Sequence, residues 1–251
     1  MLKRALAFKG YALRASDGEI GSIADFLFDD RTWLLRWLVV DTGNWLTGRK
    51  VLLHRSVIGE VDHERRELSV ALTRAQVQGS PELSEHEPVS MQMEHRLYDY
   101  YGWEPRSIES AFGANPIASK FSAPPLLLFS PQAEIAMHGD ASDPHLRSLE
   151  ALTGYHMVGG DGAIGKVEDL MIDDASWVVP YLVVETGSWW SGKPVLISRH
   201  AVREIDWAER QIRAELSRDQ VQLSPAWSPL GDVDQDYEKD LHDHYDWPGR
   251  R

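Results

Sequence analysis

Two carboxylate doublets, Asp29-Asp30 and Asp173-Asp174, are the first residues whose pairing could do acid–base chemistry, because neighbouring carboxyl groups can divide the roles of acid and base. Each doublet is followed by a tryptophan, Trp33 or Trp177, and then by an apolar run, Leu38-Val39-Val40 or Leu182-Val183-Val184. That context is a hairpin turn, where Asp is favoured because its side chain bonds its own backbone. A second acidic group, Asp232, Asp234, Asp236 and Asp243, stands at positions 1, 3, 5 and 12 of a calcium loop. The sixth position, which needs Gly for the sharp bend, is Tyr237. Carboxylates also gather at helix N-termini because the dipole favours them there, so the spacing assigns no cation and leaves binding by Asp232 to Asp243 open. There are ten histidines, none in zinc spacing. His242 and His244 are two apart on an expected helix and face different directions. His138, Asp140, Asp143 and His145 read as polar loop residues. The chain has no cysteine, no Gly-rich phosphate loop and no Gly-x-Ser-x-Gly elbow. The expectation is a chain with no catalytic residues, no metal and no cofactor.

Tryptophans carry the remaining signal. Trp45, Trp189 and Trp190 follow the Thr42-Gly43 and Thr186-Gly187 turns, with Arg49, Lys50 and Lys193 beside them. Exposed aromatics at a loop tip are typical interface anchors. Otherwise they pack on their own unit or on the linker. The first reading makes Trp45, Trp189, Trp190, Arg49 and Lys193 a candidate interface.

The elements that position these residues occur twice. Residues 11–81 align with 155–225 without a gap and are identical at 29 of 71 positions, which indicates an internal duplication. Glu94, Leu97, Asp99, Tyr101 and Trp103 continue the register onto Glu238, Leu241, Asp243, Tyr245 and Trp247. Within a copy, Tyr11 to Ala15 reads as a strand and Ser16-Asp17-Gly18 as a tight turn. Ile20 to Phe28 reads as a second strand bent at Gly21. Trp33 to Asp41 reads as a long strand buried on both faces. Val51 to Leu53 is a fourth strand, and Ser56 to Asp62 with Glu67 to Leu72 a last hairpin. Thr73 would cap a helical turn reaching Gln78. Met93, Leu97 and Tyr101, like Tyr237, Leu241 and Tyr245, recur at helical spacing and predict one closing helix per copy. Residues 106–144 have no counterpart. Their prolines and the apolar Leu126-Leu127-Leu128-Phe129 suggest a linker that docks on the body.

Composition limits the partners. Net charge is −13, with 43% hydrophobic and 26% charged residues. An acidic surface repels phosphate backbones, so a basic protein or a cation fits better than nucleic acid. No run of about 18 apolar residues occurs, so no membrane span is expected. The absence of cysteine fits a reducing cytoplasm.

The pattern Asp17-Gly18-x-Ile20-Gly21, Asp25, Asp29-Asp30, Trp33, Leu38-Val39-Val40, Thr42-Gly43 resembles the PRC-barrel domain. This is the small barrel of the photosynthetic reaction-centre H subunit, similar to the C-terminal barrel of the ribosome maturation factor. The second copy matches at Asp161-Gly162-x-Ile164-Gly165, Asp169, Asp173-Asp174, Trp177, Leu182-Val183-Val184 and Thr186-Gly187. The resemblance implies a mainly β fold of two tandem small PRC-like β-barrels, each with a C-terminal helix, joined by a long linker. The units span residues 1–105 and 145–251, around the linker 106–144, and each barrel is expected to close its own interior. The function implied is a cytoplasmic, non-enzymatic interaction or scaffold protein that self-associates. The alternatives are a soluble relative of the H subunit tied to photosynthetic electron transfer, and a ligand binder or enzyme with a site between the barrels.

Overall fold

The computed structural model describes residues 1–46, 48–81, 91–102, 145–187, 190, 192–228 and 233–248, with the side chains of 91–95 excepted. The linker expectations, Trp103, Trp189 and Asp232 therefore lie outside the described residues. The fold is mainly β. In order, the first copy runs β1 (Leu2–Arg4), α1 (Ala5–Phe8), β2 (Ala12–Ala15), β3 (Gly18–Asp29), β4 (Leu34–Asp41), β5 (Lys50–His54), β6 (Ile58–Asp62), β7 (Glu67–Val70), α2 (Arg74–Gln78) and α3 (Met91–Tyr101). The second repeats it as β8 (Leu146–Ser148), α4 (Leu149–Leu152), β9 (His156–Gly159), β10 (Gly162–Asp173), β11 (Val178–Thr186), β12 (Pro194–Ser198), β13 (Val202–Asp206), β14 (Gln211–Ala214), α5 (Arg218–Gln222) and α6 (Gln235–Tyr245). Local chemistry explains the small elements. Thr73 and Ser217 each close a capping box with a glutamine three residues on, Gln76 and Gln220.

The expected pair of closed, independent barrels is corrected. Among the described residues all fourteen strands belong to one mixed sheet, whose main path is β13-β14-β9-β10-β11-β4-β3-β2-β7-β6. β5 and β12 lie beside β4 and β11, and the only parallel pairs are β2 with β7 and β9 with β14, among the described residues. The sheet stays open between β5 and β6, because the 3-10 turn Arg55–Val57 links those strands without a ladder between them.

The two copies also exchange strands. β1 pairs with β10 of the other copy, Leu2 facing Asp173 and Arg4 facing Met171. β8 pairs with β3, Leu146 facing Asp29 and Ser148 facing Leu27. The copies meet directly where Leu35 N donates to Trp177 O and Val179 N to Trp33 O, both at 2.8 Å. The arrangement has the form of a two-fold axis that relates residue i to i+144. One buried cluster consequently contains Phe8, Phe26 and Phe28 together with Trp177, Leu182 and Ile197. Burying apolar area across the junction stabilises both copies at once, which separate interiors could not do.

Each closing helix packs on its own copy through different chemistry. In the first copy Trp37 meets His54 and Tyr98, with ring centroids at 5.2 and 5.6 Å. In the second, the equivalent Tyr181 places its hydroxyl 2.6 Å from His242 Nε2 and 3.0 Å from Glu238 Oε1. Tyr181 is buried, so these polar partners replace the water it gives up.

Candidate functional site

The carboxylate doublets are turn residues with a second role. Asp29 Oδ1 accepts from Arg31 N at 3.0 Å and Thr32 N at 2.9 Å, closing its own turn. Ser176 Oγ donates to Asp173 Oδ2 at 2.6 Å in the second turn. The next carboxylate of each doublet reaches the opposite copy. His145 Nδ1 lies 2.9 Å from Asp30 Oδ1, and Trp207 Nε1 donates to Asp30 Oδ2 at 3.1 Å. Across the axis, His63 Nε2 lies 2.8 Å from Asp174 Oδ2, and its Nδ1 lies 3.2 Å from the Tyr11 hydroxyl. A carboxylate only accepts, so His63 carries a proton on Nε2 and His145 one on Nδ1. The turns bring Trp33 and Trp177 to the axis with positive φ, 58° and 57°. Such a conformation is costly for a bulky residue and is held here by packing on both sides.

Two further carboxylates lock the exchanged segments. Asp25 accepts from Ser148 Oγ, from Phe26 N at 2.8 Å and from Glu150 N at 3.2 Å. Asp169 accepts from Arg4 Nε at 2.7 Å, Leu170 N at 2.8 Å and Leu6 N at 3.2 Å. Burial pushes the pKa of both above the ordinary carboxylate value, and their hydrogen bonds oppose the shift, that of Arg4 being the largest opposing effect on Asp169. A raised folded pKa means that protonation favours the folded state, so each group's stabilising effect is present at low pH and is lost as pH rises through that pKa. The residues that approach here, including Leu6, Lys9, Asp25, Leu149 and Asp169, leave a cavity of about 30 Å³. That volume suits water, not a substrate.

The two carboxylates should respond differently to neutralisation. In Asp25→Asn the new amide keeps its oxygen for the two N–H groups and donates to Ser148, and a buried charge disappears. Its stability at pH 7 should change by less than about 1 kcal/mol. Wild type should gain relative to it as pH falls through the raised pKa. Asp169→Asn leaves the Arg4 guanidinium, whose side chain is 24% exposed, with Glu168 alone. Its cost should be about 2–3 kcal/mol. Urea denaturation of both variants at pH 7 and pH 5 measures the difference.

Of the candidate interface residues, Trp189 lies outside the described residues, and the other four make the following contacts. Trp45 lies half-buried in the 3-10 turn Gly43–Leu46, under the Arg74 guanidinium at 4.7 Å. Arg49 donates to the carbonyls of Gln78, at 3.3 Å, and Ser80. Trp190 packs against the core, with exposed Lys193 5.5 Å from its ring. Sequence reasoning placed Asp25 and Asp169 within the repeated pattern but gave them no role; their identity in both copies was the available signal. His63 and Trp207 occupy equivalent places with unlike side chains, so nothing in the repeat marked them.

Among known families, residues 152–221 match the model of the PRC-barrel domain. The curated proteins returned no match. A PRC-barrel domain is thus present over residues 152–221 of this chain.

Proposed function

We propose that the chain is a non-enzymatic protein-interaction or scaffold protein whose first unit is of the PRC type as well. The first unit shares the strand order, the parallel pairing and the strand-exchange contacts of the second, offset by 144 residues. The observation that carries the functional reading is the packed junction. Its carboxylates, histidines and arginine are spent on joining the copies, and its cavity of about 30 Å³ admits no substrate. The joined copies then present their outer strands and helices to partners. A net charge of −13 favours partners that are basic overall. We place this activity in the cytoplasm, with self-association as one of its forms. No helix among the described residues is long and apolar enough to cross a membrane. The reading is tested by affinity capture of the tagged full chain with cross-linking, alongside sedimentation. A stoichiometric protein partner or a self-associated species is expected. A strict monomer that captures nothing, and that turns over a small molecule from the same extract, would contradict the reading.

A further inference from the structure

The contacts that join the two copies come as two matched halves. Arg4 Nε donates to Asp169 at 2.7 Å, and Ser148 Oγ, 144 positions on, donates to Asp25. His63 Nε2 meets Asp174 at 2.8 Å, and Trp207 Nε1, again 144 positions on, donates to Asp30 at 3.1 Å. The amides of Leu6 and Glu150 do the same for Asp169 and Asp25, both at 3.2 Å. The donors therefore differ between the copies, Arg4 against Ser148 and His63 against Trp207, while the acceptors are aspartates in both. The strand ladders repeat the pattern. Leu2 faces Asp173 in one half and Leu146 faces Asp29 in the other. Leu34 and Val178, each the equivalent of the other, pair on the axis.

A surface built this way is self-complementary, as in an isologous dimer. The donors of either copy find their acceptors on any face that carries the aspartates, and each copy carries that face. None of these contacts requires the partner copy to belong to the same chain. The connection does not require it either, because residues 106–144 number 39. Their extended reach, on the order of 130 Å, is several times the width of a unit of about 100 residues. The junction does prefer unlike copies. Lys9 Nζ lies 2.8 Å from Glu150 Oε1 across it. Two first copies would set Lys9 against Leu6, and two second copies would set Glu150 against Thr153, so either like pairing forfeits that ion pair.

We propose that a second copy of this chain is a partner for the junction face, and that the two chains associate by exchange. The first copy of each chain pairs with the second copy of the other, and the closed dimer leaves no junction face uncovered. This rests on the interaction reading above and gives its self-association a surface and a stoichiometry. The tether holds the copies of one chain at an effective concentration on the order of millimolar. A chain therefore closes on itself in dilute solution, and the exchanged dimer forms when chains fold at concentrations near that value. Both forms contain the same junction bonds, so a dimer once formed persists until its junctions open.

The test uses the full chain throughout. Wild type is unfolded in urea, refolded at about 1 μM or at about 1 mM, brought to one concentration and sized at once by sedimentation velocity. The expected result is a monomer from the dilute sample and a dimer from the concentrated one. The amide signals of Leu35 and Val179, which bond across the junction, should be the same in both. Lys9→Glu and Glu150→Lys are then refolded together at the high concentration, one of them mass-labelled. Each variant alone sets like charges against each other at this contact, whereas exchange between the two restores an opposite pair at both junctions. The mixed dimer should outnumber the two same-variant dimers by about tenfold. Both side chains are exposed, so each variant should refold as a monomer when dilute. Monomer at both concentrations for wild type would overturn this inference while leaving capture of a different protein intact. A dimer whose mixed and same-variant forms follow chance proportions would also overturn it, in favour of self-association through the outer strands or helices. So would a dimer in which the Leu35 and Val179 signals move, because the junction would then not be the one exchanged.

Discussion

Trp177→Ala is expected to destabilise the entire chain, by about 3–5 kcal/mol, and not only the copy that contains it. The indole is 8% exposed and packs across the axis, 6.0 Å from the Phe8 ring and 6.2 Å from that of Phe26. Both phenylalanines belong to the first copy. Alanine would keep the same strained backbone but forfeit the aromatic contacts and leave a void between the copies. The turn hydrogen bond from Trp177 N to Asp173 O, 2.7 Å, does not need the side chain, so the loss is one of packing. A loss of this size is a large part of the stability of an ordinary domain. Urea unfolding followed by separate probes in each copy measures it. Both probes should shift together, whereas a shift confined to the second copy would mean that the junction is not part of a common core.

Gly21→Ala is expected to cost about 3 kcal/mol or more, from a change of one methyl group. Gly21 sits where β3 passes from its ladder with β2 to its ladder with β4, facing Leu13 on one side while Ser22 faces Asp41 on the other. Its φ is +135°, and an added Cβ would lie 2.1 Å from Asp41 O and 2.8 Å from Thr42 Cα. Both neighbours are backbone, so neither can swing away. Gly43→Ala is the control. Its φ is +54° and nothing lies within 4 Å of the added atom, so only the local backbone cost of about 1 kcal/mol applies. Thermal melting of the two variants should separate them clearly; equal melting temperatures would show that the crossing of β2, β3 and β4 is looser than described.

Particular residues show how much was legible beforehand. Ile20, Ile23, Phe26 and Phe28 announced β3, and Gly21 announced its bend, because strand period and glycine geometry are local properties. Thr73 announced the cap of α2 for the same reason. The Asp29-Asp30 turn was legible, yet only the first carboxylate acts in that turn. The role of Asp30 depends on Trp207 and His145, which are distant in sequence and carry no pattern that points back. β1 and β8 were invisible as strands. Each is three residues long, too short for a period, and each is ordered by a strand of the other copy. That exchange is also why two closed barrels were expected and one open sheet is found.

The central claim is that the copies form a single interlocked body through exchanged strands and one continuous core. Differential scanning calorimetry of the full chain tests it most directly. The account predicts one transition, with calorimetric and van't Hoff enthalpies in agreement. Two resolved transitions, one for each copy, would contradict it.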